Sequence, residues 1–225
     1  MELIKNWWWK IAGVVIVLYS IIWGLRSEVP ALPILHESIR NLYFHVTMWF
    51  AMISVMFFSL IYSIKFLRSN SIDDDLKANA FAQTGILFGS IGILTGSLWA
   101  RFTWGAWWVI DPKLNGAAIS MLIYLAYMVL RNSLDDEEKR GRVAAVYNIF
   151  AFVIYVVLIR VLPLFTDTLH PGSGGNAGFS NLDVDDRMKW IFRPAVLGWI
   201  LIATWIAMLI YRFDALKRKK IISEL

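Results

Sequence analysis

Residues 42–67 read LYFHVTMWFAMISVMFFSLIYSIKFL, an apolar run whose only formal charge is Lys65, with one histidine, His45, near its start. About 20 apolar residues are enough to cross a hydrocarbon core of about 30 Å. This stretch therefore reads as a membrane span. Five further runs of the same character follow the same logic: Trp7 to Leu25, Phe81 to Ala100, Ala117 to Leu130, Val143 to Leu162 and Ile191 to Tyr211. The Ala117 run is the shortest. The expected fold is an all-α integral membrane protein of six transmembrane helices, one domain over residues 1–225.

The composition agrees. Of 225 residues, 58% are hydrophobic and 17% charged, against about 45–50% and about 25% in soluble domains. So much apolar surface cannot be hidden inside one soluble domain of this size, which excludes a disordered chain and argues against a soluble enzyme. The chain has no cysteine. That excludes disulfides, thiolate metal sites, cysteine catalysis and covalent attachment of a c-type heme. MELIKNWWWK and the apolar run behind it read as a retained first span, since no small-residue cleavage site follows Leu25. No internal repeat, low-complexity tract or second soluble domain stands out.

Charge gives the orientation. With six spans, 14 of the 22 Lys and Arg fall on the side of the two termini, so the positive-inside rule places both termini in the cytoplasm. The basic excess reflects that inner side and its anionic lipid rather than nucleic-acid binding. The inner connections, SNSIDDDLKANA and NSLDDEEKRGR, are short and charged. On the outer side lie RSEVPALPILHESIRN, a Trp-rich loop over residues 101–116 between the third and fourth spans, and a His- and Gly-rich loop over residues 163–190, read as flexible.

All three histidines, His36, His45 and His170, fall on the outer side. His45, at the outer end of the second span, and His170, just past the fifth, stand at one level of the membrane. Imidazoles facing each other from separate helices are common axial ligands of heme iron. The plainer alternative is a pair of interfacial polar residues satisfied by water or backbone, and His36, in a Pro-containing loop, fits that reading best. In WGAWWVID, Trp104, Trp107, Trp108 and Asp111 are spaced i, i+3, i+4 and i+7, so an interfacial helix would present three indoles and a carboxylate on one face. Such a face suits a large planar ligand. It equally suits an ordinary aromatic belt. Arg40, Arg101 and Lys113 flank the region and could pair with ligand carboxylates or snorkel to lipid phosphate. Arg160 lies inside the fifth run, where a charge is costly and often functional.

WGAWWVID resembles the tryptophan-rich WWD motif of heme-handling proteins of cytochrome c maturation. RNLYFHV and TLHPGS resemble the two histidine segments of the heme exporter protein C family, CcmC, with span number, motif order and size also similar. The resemblance implies a protein of the bacterial inner membrane that holds heme b at the outer face, non-covalently and transiently. It implies His45 and His170 as axial ligands, and Trp104, Trp107, Trp108 and Asp111 as platform. Arg40 takes the place of a functional arginine, and Lys113 offers a charge to the propionates. The implied partners are the transporter subunits CcmA and CcmB, the small protein CcmD and the periplasmic heme chaperone CcmE. Ile110 and Lys113 depart from the usual WGxWWxWDxR, which has Trp and Arg there, and Thr47 stands where Pro often follows the first ligand.

The expected function is heme binding and delivery without catalysis. No phosphate-binding Gly-rich loop is present, so any ATP-driven step belongs to a partner. A b-type cytochrome would want histidine pairs deep in the spans, and a solute transporter would want ionisable groups near the midplane. The larger WWD relatives of the CcsA/ResC type carry more spans and more histidines. The docking surface for the chaperone is expected on the outer Trp segment, Asp111 included, together with the Gly-rich loop.

Overall fold

The computed structural model describes residues 2–170 and 184–224, with side chains from Trp7 onward. Its helices are α1 (Glu2–Arg26), α2 (His45–Ser69), α3 (Ile72–Trp104), α4 (Pro112–Asn132), α5 (Glu137–Val156) and α6 (Asp186–Glu224). A 3-10 helix, His36–Tyr43, leads into α2, and α5 continues through a π turn, Val157–Val161, into a short 3-10 turn, Leu162–Leu164. Six of these segments are long and apolar enough to cross a membrane.

The short Ala117–Leu130 run belongs to a full-length helix. At 21 residues α4 is about 31 Å long, and the run falls short because its first turn carries Pro112, Lys113, Asn115 and Gly116. The connection expected over residues 69–80 shrinks to Asn70 and Ser71. Asn70, in the left-handed region at φ 54°, closes α2. Asp73, Asp74 and Asp75 then favour the positive N-terminal end of α3 and allow the helix to start there.

Consecutive helices run up and down, and polar contacts tie each end. At the end holding the chain termini, Arg131 closing α4 makes a buried two-point pair with Asp75 opening α3, Nη1 to Oδ1 2.7 Å. There too Arg218 of α6 donates to Glu137 of α5, 2.7 Å. At the opposite end, Asn41 donates to the Thr95 carbonyl, 3.1 Å, and the Trp99 indole to the Ser38 hydroxyl, 3.1 Å. The loop joining α3 to α4 lies at this second end.

Between the ends the core is apolar. Met48, Met52, Val55 and Met56 of α2 pack on Phe81 and Phe88 of α3, Met121 and Tyr124 of α4, and Tyr155 of α5. A polar cluster interrupts it: the fully buried Asn148 donates to the hydroxyls of Ser59 and Ser63, 2.7 and 2.9 Å. The outside of the bundle is apolar as well, with Trp8, Ile11, Val15, Leu18 and Ile22 of α1 exposed. A row of this kind has lipid as its natural solvent.

Candidate heme site

Gly85, Gly89, Gly92 and Gly96 repeat along α3 at helical spacing and receive the ridge Met56, Met52, Trp49 and His45 of α2. A Cβ on Gly92 would lie 2.9 Å from the Trp49 ring, and one on Gly96 only 2.5 Å from Cε1 of His45. The missing side chains let the two helices close, and His45 drops into the notch over Gly96. Its Nδ1 lies 2.9 Å from the Gly92 carbonyl and 3.3 Å from the Thr95 hydroxyl. A carbonyl can only accept, so Nδ1 carries the proton and Nε2 keeps its lone pair. Trp49 and Trp99 flank the ring edge-on at 6.3 and 5.9 Å.

The interfacial helix expected over WGAWWVID does not form. Trp104 is the last residue of α3, Gly105 ends that helix at φ 78°, and Asp111 is extended and caps α4 ahead of Pro112. Gly105 relieves the left-handed turn and Pro112 holds the residue before it away from helical angles. The non-helical part of the 101–116 segment is therefore residues 105–111. The three indoles do not share one role: Trp104, closing α3, and Trp108 line a cavity, while Trp107, 59% exposed, does not.

Asp111 is not part of an exposed face either. It is 1% exposed, which removes it from any docking surface. Its Oδ1 accepts from the Lys113 and Leu114 amides at 2.9 and 3.2 Å, and lies 3.2 Å from His170 Nδ1. Its Oδ2 accepts from the Thr168 hydroxyl and the Leu169 amide, both at 2.8 Å. One carboxylate thus caps α4 and ties down residues 168–170. Burial pushes the Asp111 carboxyl up, but the His170, Leu169 and Thr168 hydrogen bonds outweigh it and hold it well below the usual carboxylate range.

His45 and His170 line one open cavity. It is walled by Trp49, Trp99, Trp104 and Trp108, runs down past Ile53, Tyr155 and Ile159, and has Lys113 in its lining. Its lining is mostly apolar with few polar groups, the composition of a small-molecule or cofactor site. Among the described residues each histidine has Nδ1 engaged and no hydrogen bond at Nε2. A metal macrocycle with two carboxylates fits this donor set: two imidazole nitrogens, flat aromatic walls and a cation.

Arg40 does not line the cavity. Its Nη1 donates to the Gly24 and Ser27 carbonyls at the end of α1, and its Nε to Glu37. Arg101 donates to the Gly105 carbonyl and is exposed, and His36 is an exposed residue opening the 3-10 helix. Arg160 sits in the π turn, whose Leu158 carbonyl packs on Gly116 of α4. The Gly-rich part of the 163–190 loop, residues 171–183, lies outside the described residues. Sequence reasoning missed Trp49, Trp99 and Thr168 as site residues; Trp49, one turn from His45, and the glycine spacing on α3 were the available signals.

The family model for heme exporter protein C matches residues 1–224. The heme exporter protein C of Escherichia coli K12 is 27% identical over 228 residues, covering 97% of this chain and 88% of that protein. That of Rhodobacter capsulatus is 28% identical over 84% of this chain and 77% of its own length. That of Bradyrhizobium diazoefficiens is 37% identical over a shorter stretch, 48% of this chain and 41% of its own. With a match running almost from end to end, the chain belongs to the heme exporter protein C family.

Proposed function

We propose that this membrane protein binds heme b as cargo between His45 and His170 and hands it to the periplasmic chaperone CcmE, acting beside CcmA, CcmB and CcmD without catalysing a reaction itself. The observation that carries this reading is the shared cavity, with two histidines whose Nδ1 atoms are committed and whose Nε2 atoms take no hydrogen bond among the described residues. Neutral imidazole Nε2 is a usual axial donor to heme iron. The excess of Lys and Arg at the end of the termini supports a periplasmic position for the cavity end.

The parts divide the work. His45 stands on a helix held in its notch, and His170 stands on a loop held by Asp111. The indoles of Trp49, Trp99, Trp104 and Trp108 exclude water and offer flat faces. Lys113 supplies positive charge for a propionate.

Transfer tests the reading. The purified protein, loaded with heme in lipid nanodiscs, is mixed with the soluble domain of the chaperone, and heme on each partner is followed after separation. The expected result is heme moving to the chaperone faster than from empty nanodiscs carrying the same heme. Equal rates from both would overturn the delivery role.

A further inference from the structure

The two candidate ligands lean on unlike partners. His45 Nδ1 meets the neutral Gly92 carbonyl at 2.9 Å, whereas His170 Nδ1 meets the buried carboxylate of Asp111 at 3.2 Å. We propose that Asp111 is a positioning residue acting through His170: it fixes the ring with Nε2 free toward the cavity and makes His170 the more strongly donating ligand of the two. This rests on the bis-histidine reading above.

The geometry is specific to that task. A carboxylate behind a metal-bound imidazole fixes its tautomer and raises its basicity, and the charge-assisted hydrogen bond is about twice as strong as a neutral one. Asp111 is itself held by four other donors: the Lys113 and Leu114 amides from α4, and the Thr168 hydroxyl and Leu169 amide from the loop. The Thr168 hydroxyl that donates to Asp111 also accepts from the His170 amide, 3.2 Å. The loop is thus locked to the start of α4 through one side chain. His45 needs no such anchor, since its helix and the Gly96 notch hold it. An anionic partner behind one ligand favours the ferric over the ferrous state, because second-shell hydrogen bonding and charge are levers on the reduction potential.

The test compares wild type, Asp111→Asn, His170→Ala and the double variant, each loaded with heme in nanodiscs and read by visible spectrum and midpoint potential. Asparagine remains a good helix cap, so α4 keeps its start. Asp111→Asn is expected to shift the potential upward and to turn part of the heme from six- to five-coordinate. In the His170→Ala background the same change is expected to shift the potential far less. A shift that persists undiminished without His170 would make Asp111 a bare charge and overturn the positioning role. An Asp111→Asn variant indistinguishable from wild type would overturn it as well. A wild type lacking a low-spin heme spectrum would instead refute the bis-histidine reading. If Asp111→Asn does not accumulate, Thr168→Val carries the test: partial loss of six-coordinate heme is expected, and an unchanged spectrum and potential would contradict the proposal.

Discussion

The ring of His45 occupies the space that a side chain on Gly96 would fill, with Cε1 2.5 Å from where a Cβ would stand. Gly96→Ala must therefore push the imidazole off its Gly92 hydrogen bond or spread α2 from α3. Overpacking of this kind costs about 1–3 kcal/mol of stability. The expected outcome is a folded but less stable protein that binds heme more weakly than wild type, read by heme titration and thermal denaturation. Wild-type affinity in the alanine variant would remove the notch from the account.

Trp49 and Trp107 are predicted to differ sharply. Trp49 lines the cavity and packs edge-on to His45 with ring centroids 6.3 Å apart, while Trp107 is exposed and is not among the residues lining the cavity. Trp49→Ala should weaken heme binding and disturb the low-spin spectrum. Trp107→Ala should leave the spectrum of bound heme unchanged. The reverse order would favour the surface of three indoles that spacing alone suggested.

Arg40 is predicted to act on the fold rather than on the ligand. It donates to carbonyls at the end of α1 and to Glu37, joining α1 to the 3-10 helix before His45. Hydrogen bonds from a charged group contribute about 1.5–3 kcal/mol each, so Arg40→Ala should lower thermal stability in detergent. Heme affinity should fall less than in Lys113→Ala. A stable Arg40→Ala protein with sharply weakened heme binding would return Arg40 to the ligand.

At the opposite end, Arg131 and Asp75 form a buried pair with side chains 5% and 3% exposed. Removing one partner leaves a buried charge, at a cost of about 3–5 kcal/mol. Arg131→Ala should therefore destabilise the bundle strongly, seen as an early loss of the monodisperse peak on heating. Replacing both partners by apolar residues should recover much of the loss. Equal loss in single and double variants would contradict that origin.

The spans were legible because lipid demands long apolar runs, and each of the six runs lies inside one of the six segments. Their ends were less so, because polar residues such as Asp73 to Asp75 continue a helix beyond the hydrocarbon while reading as a loop. The two histidines could be placed at one level by counting spans. The indole face could not, since spacing assumes a continuous helix and Gly105 with Pro112 breaks it. The role of Asp111 depends on residues 57 to 59 positions away, Thr168 to His170, and no local pattern carries that contact. The notch at Gly96 was present as a glycine repeat, but its meaning appears only once α2 lies against it.

The central claim is that His45 and His170 both ligate one heme iron. The most direct measurement is the visible spectrum, oxidised and reduced, of the purified heme-loaded protein beside its His45→Ala and His170→Ala variants. The account predicts a six-coordinate low-spin spectrum in the wild type and its loss in each variant, with added imidazole restoring it. A low-spin spectrum that survives both substitutions unchanged would contradict it.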